Sequence, residues 1–220
     1  NRVNLLGVLE NAGATLTLIR EEFQAQQIRF EAIVDTLAGA IIKRLSEGRR
    51  DGLAVIAEGL VLGLDPEFLG SLPEIERDAH GNVRISEVKI GDLLKAAVQE
   101  RLKKLDIDMT IVAKDIGYEL RCADPIPFDL EYTRDLGYCA TKYLLSGGNA
   151  AMISMQAGNF VPVPFRELLD PTTGRARIRL VDIRSTRYAI ARRYMIRLRR
   201  DDFDDPIKLA KIAATAGMPV

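Results

Sequence analysis

The sequence predicts an α/β fold, a mostly parallel sheet with flanking helices, and three observations carry that prediction. Short apolar runs, ATLTLI at 14–19, LAVIA at 53–57, MTIVAKDIG at 109–117 and AAMISMQ at 150–156, have the length and composition of strands. Between the first three lie long segments whose apolar residues recur at helical spacing. Strands that alternate with helices at this interval need crossover connections, and such connections make neighbouring strands parallel.

In chain order, the run at 14–19 reads as a buried strand, followed by a helix over about 24–46. Its stripe is Phe30, Ile33, Val34, Leu37, Ile41 and Leu45. Gly48 ends that helix, and LAVIA is a continuous apolar strand of the kind buried on both faces of a parallel sheet. Glu58 and Gly59 terminate it. Residues 63–88, with DPEF, SLPE and DAHGN, are rich in turn formers and read as a surface excursion carrying His80. IGDLLKAAVQERLKKL is a second amphipathic helix with Asp92 as a cap near its start. After the strand at 109–117, Pro125 and Pro127 stiffen a loop, and Asp129 is placed to cap a helix through LEYTRDLGYCATKYLLS. AAMISMQ is a further short buried strand. RARIRLVDIRSTRYAIARRYMIRL is an extended segment feeding a basic helix, packed through Tyr188, Ile190, Tyr194 and Ile196. Residues 201–220, opening DDFDDP, read as an acidic, loosely held tail with one short helix.

Composition removes several function classes. Lys plus Arg and Asp plus Glu stand at 31 each, so no general field attracts nucleic acid or an anionic membrane. The arginines of RRYMIRLRR are followed at once by DDFDD and read as a salt-bridged helix. The apolar run LAVIAEGLVLGL is broken by Glu58 and glycines and falls short of a membrane span. Cys122 and Cys139 are too sparse for a disulfide framework, and His80 alone cannot build a histidine metal site. A reducing, cytoplasmic setting is the expectation, and no Ser, His and acid constellation supports triad chemistry.

Two clusters point to a binding site. AEG at 57–59 and YELR at 118–121 each fall at a predicted strand end, where open α/β sheets collect ligands. The Glu58 carboxylate can accept bonds from sugar hydroxyls, whereas the Arg121 fork and the Tyr118 hydroxyl suit a phosphate or ring oxygen. Taken singly, each has a structural alternative: Glu58 capping the next turn, Arg121 pairing with Asp124 or Asp129.

The blocks TLIREEF, VIAEGL, IGYELRCADPIPFDLEYTRDLGY, LLSGGNAAMIS and LVDIRSTRYAIARRYMIRL strongly resemble the 6-phosphofructokinase family, above all its pyrophosphate-dependent bacterial branch. The resemblance covers nearly all of residues 12–200 and implies a phosphofructokinase-like, Rossmann-type fold. It implies phosphoryl transfer to the 1-hydroxyl of fructose 6-phosphate, with Mg²⁺ and either pyrophosphate or ATP as donor. It carries the sugar contact to Glu58 and the grip on the sugar phosphate to Tyr118 and Arg121, with Glu119 completing the matched segment. The family also implies a glycolytic role and a homo-oligomer when complete.

The sequence departs from the family at Arg20, where many relatives have proline, and at Cys122 and Ala123, where some have two glycines. It contains no GxGxxG or lysine-bearing phosphate loop. The family's donor loop and its aspartate base belong to a preceding segment, so the fold is expected to be incomplete at the N-terminus and the chain alone inactive, with no catalytic residue of its own. The expected organisation is a sugar-phosphate-binding region at 1–150, a segment at 151–200 returning to another domain, and a tail at 201–220. A noncatalytic regulatory or structural chain that binds a phosphosugar is the alternative.

Overall fold

The computed structural model describes residues 15–23, 27–72, 88–116, 122–174, 176–177 and 180–219. Strand β1 (Leu16–Leu18) is buried at every residue, as its continuous apolar character requires. It pairs in parallel with β2 (Ala54–Ile56), in the register Leu16↔Ala54, Thr17↔Val55, Leu18↔Ile56. Helix α1 (Phe30–Ser46) is the crossover between them and buries Phe30, Ile33, Val34, Leu37 and Ile42. Helices with a small parallel sheet bear out the α/β class. β2 itself is exposed to half-buried rather than buried on both faces, because β1 is its only ladder partner among the described residues.

After the short α2 (Pro66–Ser71), helix α3 (Ile90–Lys103) lays Leu94, Val98 and Leu102 into the same core. Asp92 lies in its first turn, not at the cap, which is Lys89. The segment expected as a strand at 109–117 is not one in its described part. Residues 107–113 alternate between half-buried and exposed, with Ile107, Met109 and Ile111 packed on the core, yet no strand pairs with them among the described residues. The period-2 pattern is real, but a strand needs a ladder partner as well. The Gln99 side-chain amide supplies one substitute, donating to the Met109 carbonyl at 3.2 Å.

The C-terminal part corrects two expectations. The buried stripe of helix α6 (Thr186–Tyr194) and its cap is Tyr188, Ala191 and Met195, while Ile190 and Tyr194 are exposed. Ser185 caps the helix by accepting the Tyr188 N–H at 3.3 Å, and that starting point sets the phase. Residues 201–219 are no loose tail. Helix α7 (Arg200–Asp204) buries Asp202 against Lys43, and α8 (Pro206–Thr215) places Ile212 and Ala213 in the core, followed by Ala216. Leu198 fills the space over Gly39, where an added Cβ would stand 2.8 Å from Leu198 Cδ1.

The chain divides into two compact units, one comprising Asn1–Asp115 with Leu180–Val220 and the other Ile116–Arg179. In the second, Pro127 opens helix α4 (Pro127–Leu145), and Asp129 caps from the third helical position by accepting the Ile126 N–H at 3.1 Å. The run at 150–156 forms β3 (Ala151–Gln156), half-buried and antiparallel to β4 (Asn159–Pro164), with the short α5 (Phe165–Leu168) following. The sequence predicts a mostly parallel sheet, but only Ala157 and Gly158 separate these two runs, and a two-residue connection can make only a hairpin. Both cysteines are free, and among the described residues no helix is long and apolar enough to cross a membrane.

Candidate functional site

Because β1 and β2 run parallel, their carboxyl ends share one edge. β1 leads through Ile19 into a 3₁₀ turn, Arg20–Glu22, and β2 leads through Ala57 into a second, Glu58–Gly63. The two turns are neighbours. The second is anchored from behind. Leu60, Val61 and Gly63 are buried, and the Ile28 N–H donates to the Gly63 carbonyl at 2.6 Å. Its leading residues, Glu58 and Gly59, face outward. The Glu58 side chain has no hydrogen bond or ion pair among the described residues. Its carboxylate is not used as a cap, so it is open to hydroxyl donors.

The first turn is fixed by its acids. Glu21 Oε1 accepts the Val181 N–H at 2.6 Å. The Glu22 side chain, 7% exposed, binds Arg197 Nη2 through both carboxylate oxygens, at 2.9 and 2.8 Å. The Tyr188 hydroxyl donates to Glu22, and Arg197 also donates to the Thr17 carbonyl within β1. Burial, then the bond to Glu22, pushes the Tyr188 phenol far above its ordinary range, so it stays a donor. Arg197 Nε is buried without a partner among the described residues. This network clamps the strap at 181–197 to the end of β1 and holds the turn in place. Sequence reasoning missed it, although three charges in TLIREEF directly after a buried strand are the available signal.

Of the residues singled out from sequence, Glu58 is where it was expected, at the carboxyl end of a strand. Tyr118, Glu119, Arg121 and His80 lie outside the described residues. Among the described residues no three His, Cys, Asp or Glu side chains gather to hold a metal ion. In the second unit a groove of about 290 Å³ is lined by Tyr138, Cys139, Lys142, Tyr143, Ser146 and Phe160. It is aromatic and holds no acid.

No protein-family model matches the chain. It is 44% identical over 206 residues to a pyrophosphate–fructose 6-phosphate 1-phosphotransferase of Thermotoga maritima, covering 91% of this chain and 49% of that protein. It is 41% identical over 220 residues to a protein of the same name from Naegleria fowleri, covering 96% of this chain and 50% of that one. A third relative, the beta subunit so named from Ricinus communis, is 26% identical over 194 residues, covering 67% of this chain and 35% of the subunit. The chain thus spans about half the length of the first two relatives.

Proposed function

From a chain that belongs to the phosphofructokinase family along nearly its whole sequence, we propose that these 220 residues form the sugar-phosphate-binding part of an enzyme phosphorylating fructose 6-phosphate from pyrophosphate. The observation that carries the reading is Glu58, an exposed carboxylate with no partner among the described residues, at the shared carboxyl edge of two parallel strands. In this reading Glu58 accepts bonds from the sugar hydroxyls, and Arg121 with Tyr118 holds the 6-phosphate, with Glu119 beside them. The sugar 1-hydroxyl oxygen forms a bond to one phosphorus of pyrophosphate, the bridging P–O bond breaks, orthophosphate leaves and the hydroxyl proton passes to a base. The 220 residues contain no glycine-rich phosphate loop. The proposal therefore places the glycine-rich donor loop and the base outside them, and the isolated stretch binds without turnover. Mg²⁺ supplies charge neutralisation on the donor. No ligand for it is assigned among the described residues. Sparse, free cysteines support a cytoplasmic setting, and family likeness supports a glycolytic role and a homo-oligomer.

The test is the full-length protein with fructose 6-phosphate, Mg²⁺ and either pyrophosphate or ATP, with fructose 1,6-bisphosphate as the readout. Transfer from pyrophosphate is expected. Arg121→Ala should lower kcat/KM by about 2–5 kcal/mol in transition-state stabilisation. Arg121→Lys should restore little, since the planar fork is lost. Saturable sugar-phosphate binding without transfer from either donor would identify a noncatalytic chain instead. An Arg121→Ala enzyme with unchanged constants would remove Arg121 from the site.

A further inference from the structure

Arg20 was read from sequence only as a departure, yet the structure gives it a defined place. An added Cβ on Gly63 would stand 3.2 Å from both Cγ and Nε of Arg20, and 2.7 Å from Ile28 Cδ1. The bare α-carbon of Gly63 is therefore the notch against which the arginine stem lies, at the far end of the turn that begins with Glu58. The two acids after Arg20 are committed elsewhere. Glu21 accepts from Val181, and Glu22 is bound by Arg197 and Tyr188. Arg20 is exposed, and no carboxylate pairs with it among the described residues. An exposed guanidinium and an exposed carboxylate, neither paired among the described residues, thus stand on adjacent turns at one strand edge. A six-residue 3₁₀ turn spans on the order of 10 Å, a separation suited to a ligand that offers hydroxyls at one end and a phosphate at the other.

We propose that Arg20 contacts a phosphoryl group of the ligand bound at the Glu58 edge, an inference that rests on the function proposed above. Guanidinium binds phosphate oxygens through charge-assisted bonds, and the phosphoryl group is either that of the sugar phosphate or that of pyrophosphate. Gly63 acts through Arg20, by leaving room for its stem.

The experiment is calorimetric titration of the full-length protein with fructose 6-phosphate and, separately, with pyrophosphate. Wild type is compared with Arg20→Ala, Arg20→Lys, Gly63→Ala and the surface control Arg29→Ala. Arg20→Ala should weaken one of the two ligands about tenfold or more, the range of a lost hydrogen bond to a charged group. Arg20→Lys should recover part of that affinity, and Arg29→Ala should bind as wild type. Loss confined to fructose 6-phosphate places Arg20 on the sugar phosphate, and loss confined to pyrophosphate places it on the donor; either supports the contact. Gly63→Ala should reproduce the loss with the charge retained. Should that variant fail to fold, Arg20→Ala, a change at an exposed side chain, decides alone. Unchanged affinity for both ligands in Arg20→Ala overturns the inference while wild-type binding preserves the function. Wild type binding neither ligand overturns both.

Discussion

The two units of this chain use similar apolar residues to opposite ends. In the first, Leu16, Leu18, Ile33, Leu60, Leu94 and Leu102 come from four separate elements and are all less than 2% exposed. In the second no described residue is buried, and α4 presents Phe128, Tyr138, Leu144 and Leu145 to the surface, Leu145 at 84% exposure. The first unit is therefore held by burial between segments distant in sequence. The second is held by local devices, the Pro127 and Asp129 helix start and the hairpin turn. The sharpest way to break this comparison is Ile33→Ala. Removing a fully buried side chain from a well-packed core should cost about 4 kcal/mol. Hydrogen exchange should show that cost at β1 and α1 amides, with those of α4 unmoved. Equal loss of protection in α4 would mean that the two units unfold as one.

The next largest effect concerns the buried charge of the first unit. Lys43 Nζ bonds both Asp202 oxygens, at 2.9 and 2.6 Å, and the Arg197 carbonyl at 3.0 Å. Burial alone would raise the Asp202 pKa. The Lys43 bond, the Arg199 N–H and the Lys43 charge outweigh it and hold the carboxyl below its ordinary value. A depressed folded-state pKa means that the unfolded chain takes up the proton first. The stabilisation is present above the ordinary Asp value and disappears as pH falls through the lower folded one. Asp202→Asn should cost about 3 kcal/mol at neutral pH, since the largely covered Lys43 ammonium is left without its counter-charge. The variant should also lose part of the acid dependence of wild type. An unaltered slope of stability against pH below the ordinary Asp range would show that Asp202 is not the titrating group.

What the sequence made legible follows the same division. α1 is legible because its apolar period is long, and β1 and β2 are legible because each lies in a continuous apolar run bounded by charged or turn-forming residues. The α1 stripe missed Ile42 only because Ile41 beside it satisfies the same spacing. The strand expected at 109–117 is absent from its described residues because alternation reports which face is covered and says nothing of a hydrogen-bonding neighbour. Residues 201–219 were misread because the acids of DDFDDP suggest solvent, whereas Asp202 is neutralised by a lysine 159 positions away. No local pattern encodes such a pairing. Glu58 was legible because a lone acid terminating an apolar strand is conspicuous. The clamp of Glu22, Tyr188 and Arg197 was not, since its members are separated by 166 and 175 positions.

The smallest effect sharpens the account of the second unit. The hairpin between β3 and β4 turns on Ala157 at φ 49° and Gly158 at φ 79°, the left-handed pair that a two-residue hairpin demands. Gly158 adopts this freely. Ala157 does so against the clash of its Cβ, which costs about 1 kcal/mol. The turn is otherwise well supplied, with the Asn159 side chain donating to the Ala157 carbonyl at 3.2 Å. Ala157→Gly relieves the clash and gives back part of the gain through the greater freedom of the unfolded chain. A net stabilisation of about 0.5 kcal/mol is expected. It should appear as slower amide exchange across β3 and β4, with β1 and α1 unaffected. Because the second unit rests on local geometry, correcting one backbone angle should register there, whereas a relieved angle would be lost against the burial that holds the first unit. Faster exchange in the hairpin of the glycine variant would mean that its stability comes from contacts of the Ala157 methyl, and the contrast between the units would fail at its weaker member.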